Sequence, residues 1–148
     1  MLTATFWVTL GVICAAFIAR GVKISEFRQA WIDGLRADIS EYICKSHEWA
    51  DLYLEFNDDM EHINKVDIHP KLERLKYDAL HIHNRISLRF KPEDKKADDV
   101  LKQLLNLLEP SITKHSNWQD LSDKVVLQVR VLLKEEWEKT KNPFRKSH

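Results

Sequence analysis

The chain opens with an apolar segment and continues with residues whose apolar and polar positions follow a helical period. Residues 1–19 contain no charged side chain, and Leu, Val, Ile, Phe, Ala and Trp dominate them. About 20 apolar residues cross the hydrocarbon core of a bilayer, so residues 1–22 are predicted to form a transmembrane anchor. A cleaved signal peptide is the alternative, but it would carry a basic residue ahead of its apolar run, and no Lys or Arg precedes Arg20.

The charges that flank the apolar segment predict its orientation. Arg20, Lys23 and Arg28 follow it closely, and no side chain before it is basic. By the positive-inside rule, we expect the amino terminus outside and the rest of the chain in the cytoplasm. The two cysteines agree with a reducing compartment, because Cys14 lies within the apolar segment, Cys44 lies far along the chain, and no disulfide framework is indicated.

Beyond the anchor, apolar residues recur at steps of three and four, which is the period of a helix and not that of a strand. The residues of this stripe are Ile24, Phe27, Trp31, Leu35, Ile39, Tyr42, Trp49, Tyr53, Phe56 and Met60. Gly34 costs such a helix about 1 kcal/mol relative to Ala without breaking it. No Pro interrupts the stripe, so one long helix over residues 23–60 is predicted to continue the transmembrane helix.

Three further helices are predicted, near residues 70–90, 92–109 and 117–140. Pro70 is tolerated in a first helical turn, and a heptad-like apolar seam follows it, formed by Leu72, Leu75, Ala79, Ile82 and Ile86. Pro92, with two acidic residues after it, favours a helix start. Ser116 and Gln119 have the spacing of a capping box at the start of the last helix.

Composition supports an all-α fold with one cytoplasmic domain over residues 23–148. Only 3 Gly and 4 Pro occur, and no strand-like segment with turn residues is found. The roughly 125 residues outside the membrane suffice for one modest core. With 23 basic and 23 acidic residues, the net charge gives no support to direct nucleic-acid binding.

The sequence offers little catalytic or metal-binding chemistry. His81 and His83 are two apart, so on a helix they point in nearly opposite directions and cannot hold one ion together. His62 and His69 flank a predicted loop, where solvated polar residues are common. No phosphate-binding Gly-rich loop, Cys-His cluster or nucleophile elbow occurs. We therefore predict no metal and no cofactor.

Arg74 and His81 are the one weak catalytic pair. Their spacing is similar to the R-x4–6-H signature of the HEPN nucleases, small helical bundles in which an Arg and a His act on the RNA phosphate. With seven His in the chain, roughly one such match is expected by chance. Leu75 follows Arg74, where that family usually has a polar residue, so an enzyme is not predicted.

Five cations that span the end of the second predicted helix and the loop after it are candidates for ligand binding. They could hold an anionic ligand, a nucleotide messenger or RNA. The alternative is that they complement a helix carboxyl terminus and are neutralised by Glu93 and Asp94. The five residues are Arg85, Arg89, Lys91, Lys95 and Lys96.

Small residues recur every four positions in the apolar segment, at Gly11, Ala15 and Ala19. Small residues at this spacing allow membrane helices to approach closely, which predicts a helix-packing face. The alternative is that Gly and Ala are simply frequent in membrane helices.

The run "KISEFRQAWIDGLRADISEYI" at residues 23–43 resembles a recurrent pattern in small single-pass proteins of the bacterial inner membrane. The accessory membrane protein of type VI-B CRISPR systems is similar in size and layout, with one span and a HEPN-like helical bundle that assembles into a pore. The resemblance covers residues 1–45 by pattern and the remainder by helix layout. The cyclic-oligoadenylate-gated membrane effector of type III CRISPR systems is similar in layout too.

The resemblance implies a membrane-anchored antiviral, CRISPR-associated accessory or effector protein. Such a protein would form a homo-oligomer and would perturb or permeabilise the bacterial inner membrane on a cytoplasmic signal. The signal would be a nucleotide second messenger or a CRISPR effector complex. The alternative is a tether without pore activity, whose helical bundle docks a cytoplasmic partner.

Overall fold

The computed structural model describes residues 2–58, 62–109 and 115–141 of the chain. Within these ranges the chain forms four helices and no strand. They are α1 (Leu2–Asp58), α2 (His62–Ser87), α3 (Lys95–Asn106) and α4 (His115–Lys141). The all-α prediction is therefore confirmed for the described residues, and so is the prediction of a four-helix arrangement whose first helix includes the apolar segment.

Helix α1 joins the apolar segment to the charged one without a break. It has 57 residues and contains no Pro, so at 1.5 Å per residue it is roughly 85 Å long. An 18-residue window within it has a mean hydropathy of 1.7, and none of that window is buried. By length and composition α1 can therefore cross a membrane. A signal sequence near an amino terminus would satisfy the same two criteria.

Helix α2 runs antiparallel to α1. Near its start, the ring of His69 lies 6.2 Å from that of Phe56, close to the end of α1. At its other end, Arg89 contacts Asp38 near the middle of α1. The carboxyl end of α2 therefore faces the apolar half of α1.

Helix α4 is also antiparallel to α1. Trp118, near its start, stacks on His47 with ring centroids 4.7 Å apart. Trp137, near its end, lines a groove together with Val22 and Gln29 of α1. In α2 and α4 the chain thus runs back towards the apolar segment, and in α3 it runs in the same direction as in α1.

The core lies between the second half of α1 and the three shorter helices. Four residues of the predicted α1 stripe are buried there, and so are all residues of the predicted α2 seam except Leu75, which is partly buried against the core. The largest of the fully buried side chains include Tyr42, Ile32, Leu35, Ile86, Leu104, Leu107 and Val125.

Two residues of the predicted stripe differ from expectation. Ile24 is 37% exposed and Phe27 is 74% exposed, although both fit the helical period. The reason is the length of α2, which ends at Ser87. Phe90 then packs edge-on against Trp31 with ring centroids 5.9 Å apart, so the α2 side of the bundle ends level with Trp31 and leaves the preceding turns of α1 uncovered on that side.

Two helix starts also differ from those predicted. Helix α2 begins at His62, so Pro70 lies inside it. The bond that Pro70 cannot donate would have gone to Val66, which is 74% exposed, and water can satisfy that carbonyl. Helix α3 begins at Lys95, because Glu93 has a positive φ of 68° and Asp94 is the N-cap.

Some predictions fall outside the described part of the chain. Met60 is not described. Helix α4 includes His115, one residue before Ser116, so Ser116 lies inside the helix and not at the N-cap position that the capping box predicts.

Candidate functional site

Two arginines at the carboxyl end of α2 meet a buried carboxylate of α1. Asp38 is 7% exposed; its Oδ2 lies 2.6 Å from Arg89 Nε, and its Oδ1 lies 2.9 Å from Arg85 Nε. Arg85 is in the last turn of α2 and Arg89 is in the turn that follows Ser87, and this turn keeps both side chains next to Asp38. Glu41, one turn beyond Asp38, pairs with Arg85 Nη2. We call these four residues the α1–α2 ion cluster.

Electrostatics within this cluster favour the charged form of Arg85. The hydrogen bond to Glu41, with the charge of Asp38, raises the pKa of Arg85 above its usual range. Arg85 Nε lacks the alignment of a hydrogen bond although it is close to Asp38. A buried carboxylate without a partner would be strongly destabilising, and the two guanidinium groups give Asp38 its ion-pair partners inside the bundle.

Gly34 makes this arrangement possible. A Cβ atom at Gly34 would lie 2.9 Å from Nη1 and 3.0 Å from Nη2 of Arg89. Those distances are too short for ordinary contacts, so any larger residue would push the guanidinium group off the α1 surface. The glycine that costs helix α1 some intrinsic stability therefore lets Arg89 lie flat against the helix and reach Asp38.

The other three predicted ligand-binding cations have different environments. Both carboxylate oxygens of Glu135 lie 2.7 Å from Lys96 Nζ, which links α3 to α4. Lys91 and Lys95 are exposed, and neither contacts an acidic group among the described residues. The structure therefore brings Arg85 and Arg89 together in the ion cluster and leaves Lys91 and Lys95 open to solvent.

This geometry defines what an anionic ligand would have to do. To bind Arg85 or Arg89 it would compete with Asp38 and Glu41, which already accept their hydrogen bonds. To bind Lys91 and Lys95 it would compete only with water. The ligand-binding role of the five cations stays a prediction.

Arg74 and His81 are both exposed on α2. They are seven residues apart, so they lie on one face of the helix about two turns from each other. His83 points elsewhere, with Nε2 3.1 Å from the carbonyl oxygen of Leu101. Neither Arg74 nor His81 makes a hydrogen bond or an ion pair with another of the described residues, and the catalytic role of the pair stays a prediction.

Metal-ligating side chains do not gather in the described part of the chain. No group of three or more His, Cys, Asp or Glu is placed to hold an ion there. The side chain of His62 and the acidic residues between α1 and α2 lie outside the described side chains.

The predicted packing face of the apolar segment is fully open. Gly11, Ala15 and Ala19 are all exposed, and a Cβ atom at Gly11 would meet nothing within 4 Å. The hydroxyl of Thr9 donates to the carbonyl of Thr5 at 2.8 Å, so this polar group is satisfied within its own helix.

A feature that the sequence analysis missed is a groove between α1 and α4, which we call the α1–α4 furrow. Its central part has a volume of about 760 Å³ and is lined by Gln29, Ile32, Arg36, Leu127, Arg130, Val131, Leu133, Lys134 and Trp137. Its two ends have volumes of about 550 Å³ near Val22 and about 380 Å³ near Ile43. From Val22 to Ile43 the furrow follows α1 for roughly 32 Å.

Part of the α1–α4 furrow could have been predicted from the apolar residues of α4. Leu127 and Val131 lie off the core-facing stripe of α4, and they are 58% and 59% exposed. Apolar residues outside the buried face of a helix indicate a second contact surface. The position of Arg130 and Lys134 beside α1 could not be read, because it depends on how the two helices pack.

Comparison with known proteins adds no identification. No protein-family model matches the chain, and no curated protein or solved structure is significantly similar to it.

Proposed function

We propose that the chain is a single-pass inner-membrane protein that self-associates and perturbs or permeabilises the membrane when its cytoplasmic bundle receives a signal. An antiviral, CRISPR-associated role is the version that the resemblance of residues 1–45 implies. The observation that carries the proposal is the continuity of α1 from Leu2 to Asp58. A helix without a break transmits any rotation of the bundle to the apolar segment.

The burial pattern supports the proposal that the apolar segment lies in the membrane and the bundle lies outside it. Residues 5–20 are exposed throughout, whereas the core begins at Ile32. Apolar side chains that no part of the bundle covers require another apolar environment, and a bilayer provides one. The bundle then lies on the side of Arg20 and Lys23, which the positive-inside rule assigns to the cytoplasm.

The α1–α2 ion cluster provides a place where a signal could act. A ligand changes a conformational equilibrium only by binding one state better than the other. An anionic signal, such as a nucleotide, that took Arg85 and Arg89 from Asp38 and Glu41 would weaken the contact of α2 with α1. The two arrangements would differ in which partner the arginines hold.

The first test is the molar mass of the intact protein in detergent, measured by light scattering after size exclusion. We expect a closed assembly of several copies, because membrane-anchored subunits pack around an axis normal to the bilayer. The variant Gly11→Leu/Ala15→Leu/Ala19→Leu should lose this assembly. Ala16→Leu, which makes the same kind of change on another face, is the control. An unchanged mass for the triple variant would overturn the role of the small residues.

A second candidate function is a tether that docks one cytoplasmic partner without forming a pore. The internally satisfied hydroxyl of Thr9 favours it, since a polar group bonded within its own helix suits a lipid-facing surface. A monomer in the light-scattering experiment, with no change in membrane conductance, is the result expected of a tether.

A further inference from the structure

We propose that the α1–α4 furrow is the surface on which a second copy of the chain docks, with the exposed side of its own α1 lying along the furrow. This inference deepens the self-association proposed above by naming the surfaces that meet. It does not depend on the antiviral role or on the nature of the signal.

The furrow has the shape and chemistry of a helix-binding groove. Ile32 and Leu133 form its buried floor, and the exposed side chains of Leu127 and Val131 extend the apolar surface outward. A length of roughly 32 Å accommodates a helix of about 20 residues. Amphipathic helices are commonly recognised by apolar grooves of this kind.

The direction of the furrow selects its occupant. At one end it passes Val22 and Trp137 and reaches the apolar segment of α1. A helix that fills the furrow and continues beyond Val22 enters the bilayer, so it must be amphipathic in one part and apolar in the next. Helix α1 itself has this sequence in the required order. A soluble partner helix would have to stop at the membrane surface.

Membrane anchoring also fixes the orientation of the second copy. Two copies inserted in the same sense are parallel and at the same height, so residues of α1 in one copy lie beside the same level of the furrow in the next. A contact between two different surfaces of identical subunits is heterologous. Such contacts form a closed ring when the rotation that relates neighbouring subunits divides a full turn evenly.

The exposed side of α1 complements the furrow in size and charge. The small, exposed Ala37 lies on this side, and the exposed Ala30, Asp33 and Ser40 lie where this side borders the furrow and form part of the lining of its two ends. These small residues allow close approach of a neighbouring helix.

On the furrow wall, Arg130 and Lys134 are exposed and have no ion-pair partner among the described residues. They line the furrow beside Gln29 and Arg36, so Asp33 of a neighbouring copy would arrive at their level. Asp33 now pairs with Arg36 at 3.1 Å in its own helix. Exposed pairs of this kind are weak and readily exchanged.

Disulfide cross-linking in native membranes tests the proposal. In a background of Cys14→Ala and Cys44→Ala, the pair Ala37→Cys and Val131→Cys places one thiol on the exposed side of α1 and one on the furrow wall. Because the two surfaces differ, mild oxidation should produce a ladder of dimers, trimers and larger species on a denaturing gel. Each single-cysteine variant should give dimers at most.

The matched control pairs Ala37→Cys with Tyr77→Cys, which lies on α2, is 68% exposed and faces away from the furrow. This control should give no ladder. Absence of a ladder for the test pair, in a protein that light scattering shows to be oligomeric, would overturn the docking surface while leaving self-association intact. A monomer by light scattering would overturn both, and a cross-link to a protein of another mass would favour the tether.

A charge exchange provides a second test that does not depend on cysteine chemistry. Lys134→Glu should shift the intact protein in detergent towards smaller species, and Lys134→Arg should not. Adding Asp33→Lys to Lys134→Glu should restore the larger species. Thermal unfolding of each variant checks that the bundle stays folded, and a mass that none of the substitutions changes would contradict the proposal.

Discussion

At the scale of single residues, two buried aromatic side chains and one partly buried one place their polar atoms on carbonyls at or just after helix ends. The hydroxyl of Tyr42 donates to Leu104 at 2.7 Å, in the last turn of α3. The indole of Trp118 donates to Leu107 at 3.2 Å, and that of Trp31 donates to Arg89 at 3.2 Å. Carbonyls at a helix carboxyl end lack their regular intrahelical donor, although that of Leu104 also accepts from the Leu107 amide at 3.0 Å. These aromatic residues therefore fill the core and supply such carbonyls with a donor.

Because of the Tyr42 hydroxyl, the stability of the bundle depends on pH in the alkaline range. Burial raises the pKa of Tyr42 above its ordinary value of 10.0. The neutral phenol is therefore favoured by the folded state, and its contribution is complete below pH 10.0 and is lost as the pH rises further.

We expect Tyr42→Phe to cost about 1 kcal/mol at neutral pH through the lost hydrogen bond. Above pH 10.0, the difference between the two proteins should shrink by up to about 1.4 kcal/mol per pH unit. Urea unfolding at several pH values measures both quantities, and Tyr77→Phe at an exposed position is the control. A difference that does not change with pH would show that Tyr42 ionises equally in both states.

A double-mutant cycle tests the role of Gly34. In the Arg89→Ala background, Gly34→Ala should stabilise the protein by about 1 kcal/mol, as expected for Gly to Ala inside a helix. With Arg89 present, the new Cβ atom displaces the guanidinium group from Asp38, so the gain should vanish or reverse. Thermal or urea unfolding of the four proteins gives the coupling, and equal effects in the two backgrounds would contradict this account of Gly34.

At the scale of elements, the sequence predicted where helices form better than it predicted which helix surfaces pack together. The period of α1 and the absence of Pro predicted an unbroken helix, because both signals are local. The exposure of Phe27 could not be predicted, since it depends on where α2 ends. Only part of the α1–α2 ion cluster could be predicted from the sequence. Arg85 and Arg89 stand out as cations, but their partner Asp38 lies 47 to 51 residues earlier in the chain and is adjacent to them only in the fold.

The start of α3 depends on its N-cap. The side chain of Asp94 accepts a hydrogen bond from the Ala97 amide at 3.3 Å. Asp94→Ala should therefore destabilise the bundle by about 1 kcal/mol, whereas Asp94→Asn, which also caps well, should cost much less. Urea unfolding of the two variants makes the comparison, and equal losses would assign the effect to the negative charge near the helix start.

At the scale of the whole molecule, the bundle does not use the apolar segment for its stability. Residues 5–20 are exposed and the core begins at Ile32. The fragment of residues 23–148 should therefore fold without detergent and unfold within about 3 °C of the full chain, because almost no buried surface is removed.

The fragment of residues 36–148 is the control for this prediction. It lacks the fully buried Leu35 and the nearly buried Ile32, and losing such side chains costs about 2–5 kcal/mol each. Circular dichroism should show that this shorter fragment is largely unfolded. A fragment of residues 23–148 that fails to fold would show that the apolar segment contributes to the bundle after all.

The continuity of α1 also restricts how this chain can change in length during evolution. Each residue of an α-helix advances the angle by about 100°, so one residue inserted between Ala19 and Ile32 would turn the membrane half by that angle against the bundle. Seven inserted residues would restore the original phase to within about 20°. Insertions and deletions in this stretch should therefore be accepted in steps of seven.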